Sequence, residues 1–178
     1  DVQRSTRNQE MIEKDSLPTK LTLRNGAILL IPPMLITFGL WSMLPSAFGV
    51  ELFWKDIPKW LALSENISRI IVFAVPAFLF FGINEPIQKR GWILYASGII
   101  LYFLSYLLQI CLPDSFWSKS IIGFTAPAWS TIFWFAGIGL VGSRSWLPIP
   151  WSRLVYIAFA LLFLVFHIGH TVIVFNRL

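Results

Sequence analysis

The two histidines of this chain, His167 and His170, are three residues apart in the segment FHIGHT, residues 166–171. Side chains spaced by three or four residues lie on one face of an α-helix, so both imidazoles are expected to point the same way. Such a pair could exchange protons with a bound molecule, or supply two ligands of one metal ion. It could not supply both axial ligands of one haem, because these lie on opposite sides of the ring. The metal site is incomplete in the sequence, and the identity of any cofactor stays unknown at this point.

Other polar residues recur at helical spacing inside apolar stretches. One stripe contains Tyr95, Gly98, Tyr102, Ser105, Tyr106 and Gln109, and a second contains Tyr156, Ala160, Phe163, His167, His170, Thr171 and Val174. Polar side chains inside a membrane usually face the helix bundle or a wet cavity, because contact with lipid is costly. In addition to the histidines, the candidates for a pocket at one depth are Tyr102, Tyr106, Gln109, Thr125, Trp129 and Arg69.

The composition predicts the elements that must position these residues. The 178-residue chain has 56% hydrophobic and 13% charged residues, against about 25% charged residues in ordinary soluble domains. A membrane-spanning helix needs about 20 apolar residues. We therefore expect an all-α, polytopic integral membrane helical bundle with about five transmembrane helices. A polar N-terminal arm, 1–25, precedes a single transmembrane domain, 26–178. The expected spans are 26–45, 67–83, 91–112, 120–142 and 153–175.

The segment 50–65 joins the first two apolar runs and mixes charges with Trp54, Trp60 and Leu61. Tryptophan and lysine are typical of the boundary between lipid tails and headgroups. The pattern predicts one interfacial amphipathic segment that lies in the headgroup plane. The alternative is a gate or lid over a cavity.

Charge is placed mainly at the ends of the apolar runs. The net charge is +5, but basic residues in these positions orient helices and meet anionic lipids, so no nucleic-acid partner is expected. More Lys and Arg residues fall on the side of the N-terminus, which predicts a cytoplasmic N-terminus and an outside C-terminus. A plasma or inner membrane is the favoured location. In this orientation the candidate pocket lies in the outer half of the bundle.

The stretch GIGLVG, 137–142, matches the G-x-G-x-x-G pattern of dinucleotide sites. Such a site also needs a preceding strand, a βαβ unit and an acidic residue about 20 positions later. Because these are missing, the glycines predict close helix packing instead.

Three functions remain open from the sequence. The leading hypothesis is binding or processing of a small amphipathic or lipid-like ligand in an outer-half cavity. There a neutral histidine could act as base or acid, Tyr106 as a hydrogen-bond donor and Arg69 as the holder of an anionic headgroup. The alternatives are an accessory or scaffolding subunit bound to other membrane proteins, and metal or haem binding at the histidines. An ion-coupled transporter is disfavoured, because no Asp or Glu is expected well inside a span.

Overall fold

Prolines and capping side chains set the ends of the helices in the computed structural model, which describes residues 25–146 and 152–178. The predicted arm lies outside the described residues, except for Asn25. A 3₁₀ turn, Gly26–Leu30, leads into helix α1, Ile31–Leu40, and a further 3₁₀ turn, Trp41–Met43. The prolines in the first turn of α1 suit that position, because the first backbone N–H groups of a helix have no partner within it. Together these elements form one continuous apolar helical segment, Gly26–Met43.

The second long helix begins earlier than the sequence suggested. After the short helix α2, Val50–Phe53, helix α3 extends over Lys59–Ala74 with Pro58 at its N-cap. A 3₁₀ turn, Val75–Phe78, follows it and contains Pro76. The expected bounds were 67–83, so the second half of the supposed interfacial segment belongs to α3. This shift decides the chemistry of the site, because it moves Glu65 from a connector into a helix.

Helix α4, Pro86–Cys111, is the longest element and begins with a capping box between Glu85 and Gln88. All six members of the stripe predicted on this helix are buried, which confirms that they share one face: Tyr95, Gly98, Tyr102, Ser105, Tyr106 and Gln109.

The fourth apolar run is not one helix. It forms α5, Ile121–Phe124, α6, Ala126–Trp129, and α7, Thr131–Val141. Pro127 has no backbone N–H, so it cannot close a helical hydrogen bond to Gly123 O. The side chain of Gln109 supplies that bond instead, with Nε2 donating to Gly123 O at 2.8 Å.

Helix α8, Ser152–Phe175, carries both histidines. Strands β1, Leu79–Phe81, and β2, Gly142–Ser145, pair antiparallel at one end of the bundle. Near this end Arg153 of α8 binds Glu85 at 3.0 Å, which ties the start of α8 to the start of α4.

Helix α7 lies at the centre of the bundle and packs most closely on α4. A Cβ atom on Gly98 would lie 2.4 Å from the backbone nitrogen of Trp134, and one on Gly137 would lie 2.6 Å from Cα of Tyr95. The two helices therefore touch through their backbones, as the glycine pattern predicted. Helix α8 packs on α7 and α3, so α7 separates the two polar stripes over much of their length.

Four helical segments of the described residues are long and apolar enough to cross a membrane, by length and composition: Gly26–Met43, Lys59–Phe78, Pro86–Cys111 and Ser152–Phe175. The remaining apolar helical region, Ala126–Val141, is shorter. Its breaks explain the difference from the expected five, because Pro127 and the junctions at Thr125 and Ser130 interrupt the run.

Candidate functional site

The carboxylate of Glu65 is the centre of the polar cluster and is fully buried. Its Oε1 lies 2.9 Å from Nδ1 of His167, and its Oε2 lies 2.6 Å from Nδ1 of His170. The guanidinium of Arg69 also donates to Oε1. One acidic group of α3 therefore connects the two histidines of α8 with a basic side chain.

Helical spacing on two packed helices builds this cluster. Glu65 and Arg69 are four residues apart on α3, and the histidines are three apart on α8, so each pair shares a face. Asn66 holds the guanidinium from the same helix, with its Oδ1 3.0 Å from Nη1 of Arg69. The four side chains are thereby positioned by secondary structure.

The expectation that no Asp or Glu lies well inside a span left the histidines without a carboxylate partner, and this was wrong. It followed from starting the second span at residue 67, which left Glu65 in a connector. Two signals could have corrected it. Pro58 is a typical helix start, and the buried positions of α3 are Leu61, Glu65, Ser68 and Val72, which follow a spacing of four, three and four.

The hydrogen bonds of His170 determine where one proton lies. Its Nε2 is 2.8 Å from the carbonyl oxygen of Phe53, which can only accept, so Nε2 carries a hydrogen. The 2.6 Å contact from Nδ1 to Oε2 of Glu65 also needs a hydrogen, because two facing lone pairs would repel. Whether this proton sits on the nitrogen or on the oxygen, the Glu65–His170 pair has no net charge.

His167 has a different arrangement. The proton of the Glu65–His170 pair lies on the Oε2 side, so Oε1 of Glu65 carries no hydrogen. Oε1 therefore accepts both from Arg69 and from Nδ1–H of His167. The second nitrogen, Nε2, has no hydrogen-bond partner among residues 25–146 and 152–178. The ring stacks on Phe163 with centroids 5.1 Å apart, and 22% of the side chain is exposed. In its neutral form His167 can therefore offer the Nε2 lone pair to a bound molecule, with its orientation held by Glu65.

A cavity of about 630 Å³ opens beside this cluster. This volume lies within the range of about 300–1,000 Å³ that is usual for small-molecule sites. Its lining is mainly aromatic and aliphatic, and the polar side chains are few: Thr37, Arg69, Tyr102, Tyr106, Thr131, His167 and Thr171.

The tyrosines on the cavity wall form a hydrogen-bond chain of defined direction. Oγ1 of Thr37 donates to Pro33 O at 2.9 Å, so it must accept from Tyr102 at 2.7 Å. The hydroxyl hydrogen of Tyr102 is then used, so Tyr106 donates to Tyr102 at 3.1 Å. The expectation that Tyr106 donates to a ligand is therefore not met by this arrangement. Its oxygen retains only lone pairs for a further partner.

The predicted pocket residues separate into two groups. Arg69, Tyr102, Tyr106 and His167 line the cavity, and His170 lies behind them against Glu65. The other three stabilise the interrupted fourth run: Gln109 binds Gly123 O, Thr125 Oγ1 donates to Ile121 O at 2.7 Å, and Trp129 Nε1 donates to Ile122 O at 2.9 Å.

The sequence also suggested a metal site at His167 and His170. In the part of the chain that the structure describes, no group of three or more His, Cys, Asp or Glu side chains is arranged to hold a metal ion. Both Nδ1 atoms are occupied by hydrogen bonds to Glu65, and Nε2 of His170 by Phe53. The two imidazoles are thus arranged around a carboxylate.

Comparisons of the chain with protein-family models, curated proteins and solved structures find no match.

Proposed function

We propose that this chain is an integral membrane protein that binds a small amphipathic molecule in the cavity between α1, α3, α4, α7 and α8. The observation that carries the proposal is the polarity of the cavity. Its walls are aromatic and aliphatic, whereas Arg69 and His167 offer polar groups beside the buried Glu65. A molecule with an apolar chain and a polar head would match both parts. Burying its chain would contribute about 0.8 kcal/mol for each methylene group that is removed from water.

The outer surface of the helices supports the membrane part of the proposal. Large apolar side chains are exposed on the four long helical segments, among them Leu35, Ile70, Ile93 and Val165, each at least 67% exposed. Contact with lipid tails would cover these side chains without a protein partner. The proposed orientation keeps the N-terminus in the cytoplasm and the C-terminus outside, in a plasma or inner membrane. It requires the interrupted fourth run to complete a crossing.

Native mass spectrometry of the full chain, gently solubilised from its own membranes, would test the proposal. We expect the protein to retain a small molecule that is neither detergent nor bulk phospholipid. Met34→Trp should displace this molecule, because Met34 lines the cavity. Leu35→Trp is the matched control, since the neighbouring Leu35 is 68% exposed on the outside of the same helix.

Three results would count against the proposal. The first is a bare protein mass, with no small molecule retained and none taken up from added amphiphiles. The second is a second protein chain bound in fixed proportion with an empty cavity, which would favour the accessory-subunit alternative. Equal loss of the small molecule in both tryptophan variants would also count against binding in this cavity.

A further inference from the structure

We infer that the head group of the bound amphiphile is an acid that carries negative charge and is held by Arg69. This inference rests on the proposed function and specifies the chemistry of its ligand. It starts from the count of charges around Glu65. Each step depends on which atoms donate and which accept.

Arg69 has a salt-bridge partner, yet its charge is not cancelled within the cluster. The proton between Glu65 and His170 makes that pair neutral wherever it lies. His167 donates its Nδ1–H to Oε1 of Glu65, and its ring adds no negative charge whether or not Nε2 carries a hydrogen. The guanidinium of Arg69 is permanently protonated, so the four side chains together carry at least one positive charge.

The described residues that line the cavity provide no compensating negative charge. Arg69 is the only residue with a formal charge among the described residues that line the cavity. Its guanidinium carbon lies 5.7 Å from the ring centroid of Trp54 and 5.8 Å from that of Phe163. These rings attract a cation but do not neutralise it. A positive charge in a mainly apolar cavity is costly unless it is paired, so an anion is the favoured occupant.

The geometry also leaves donors for that anion. A guanidinium has five N–H groups, and the described contacts use one for Glu65 and one for Asn66. The side chain is 33% exposed, so its remaining N–H groups can bind an oxyanion. Beside it, Nε2 of His167 can accept a hydrogen from a head group that retains one. Both a carboxylate and a monoprotonated phosphate monoester satisfy the charge, and only the phosphate can also donate.

The test compares four amphiphiles with the same twelve-carbon chain: dodecanoate, dodecyl phosphate, dodecanol and dodecyltrimethylammonium. Each is titrated into the full chain in a neutral maltoside detergent, and the bound fraction is measured by native mass spectrometry. We expect both acids to bind at least about tenfold more tightly than the alcohol, because hydrogen bonds to charged groups are the strong ones. The ammonium compound should bind most weakly. The tighter of the two acids identifies the head group.

Variants then locate the preference. Arg69→Gln should remove the preference for acids over the alcohol, and Arg69→Lys should retain it. Arg177→Gln is the control, since Arg177 lies on the exposed end of the chain beyond α8 and outside the cavity lining. If Arg69→Gln does not fold, the wild-type comparison of the four head groups still decides the matter.

The outcomes separate this inference from the proposed function. Equal binding of the alcohol and the acids, or tightest binding of the ammonium compound, would overturn the inference and leave the cavity as a binding site. Failure of all four compounds to bind would contradict both.

Discussion

Glu65 and His170 are 105 residues apart in the chain, and their side chains meet at 2.6 Å in the interior of the bundle. Because His170 also donates to the carbonyl oxygen of Phe53, one shared proton joins the two side chains. This pair fixes α3 against α8 and holds α2 beside them. Because the pair has no net charge, it leaves the positive charge of Arg69 uncompensated beside the cavity.

Substitutions of Glu65 should have graded effects on stability. Glu65→Leu leaves Arg69 and the histidines without their buried acceptor, and we expect a loss of about 3–5 kcal/mol in the free energy of unfolding. Glu65→Gln keeps an acceptor oxygen for Arg69 and a donor amide for a neutral His170, so it should cost less. Thermal unfolding in detergent would measure both. Equal stability of Glu65→Leu and the wild type would contradict the burial of this cluster.

The two histidines should carry their protons differently. Nitrogen-15 NMR of histidine-labelled protein can observe this directly, because the chain contains only two histidines. We expect His167 to show a protonated Nδ1 and an unprotonated Nε2. His170 should show a protonated Nε2 and a hydrogen shared between Nδ1 and Glu65. His167→Gln assigns the two sets of signals. A protonated Nε2 on both rings at neutral pH would contradict the neutral form expected for His167.

The direction of the tyrosine chain predicts an order of stabilities. Tyr102→Phe removes the acceptor of Tyr106 and leaves a buried hydroxyl without a partner, which should cost about 1–3 kcal/mol. Tyr106→Phe removes only a donor to Tyr102, so we expect a smaller loss. Tyr95→Phe, which breaks a bond to Leu29 O outside the cavity, calibrates the loss of one tyrosine hydroxyl. Unfolding midpoints in the reverse order would show that the chain runs the other way.

Gln109 and Pro127 should be energetically coupled. Gln109→Leu removes the donor that binds Gly123 O, and we expect a loss of about 1–3 kcal/mol. In a Pro127→Ala background, residue 127 regains a backbone N–H that can bind the same carbonyl. In that background, Gln109→Leu should lower the free energy of unfolding by about 1 kcal/mol less than it does in the wild type. A double-mutant cycle would measure this difference. Additive effects would mean that the glutamine does not replace the missing backbone bond.

The glycines of the α4–α7 contact should tolerate no side chain. Gly98→Ala and Gly137→Ala place a Cβ within 2.6 Å of backbone atoms of the opposite helix, so both should lower the unfolding midpoint. Gly169→Ala is the control, because nothing lies within 4 Å of its Cβ position. That change should raise stability by up to about 1 kcal/mol through helix propensity. A similar response at all three positions would contradict close packing of α4 on α7.

The sequence by itself determined which face of α4 and which face of α8 is buried. The stripe from Tyr95 to Gln109 is entirely buried, and so is the stripe on α8 except for the half-buried His167. The small residues of GIGLVG also predicted close helix contact, which Gly137 makes. These properties are local, because the period of a helix assigns residues to faces without any knowledge of the neighbouring elements.

Only the tertiary structure decided which polar groups meet. The expected depth in the membrane grouped Gln109, Thr125 and Trp129 with the histidines. In the folded bundle their side chains instead donate to backbone carbonyl groups beside the helix break at Pro127. Packing brings Glu65 to His167 and His170 across more than 100 residues, and the helix start at Lys59 makes that contact possible. The physical reason is that buried donors and acceptors must be satisfied by whatever partner the packing brings near, and sequence spacing does not contain that information.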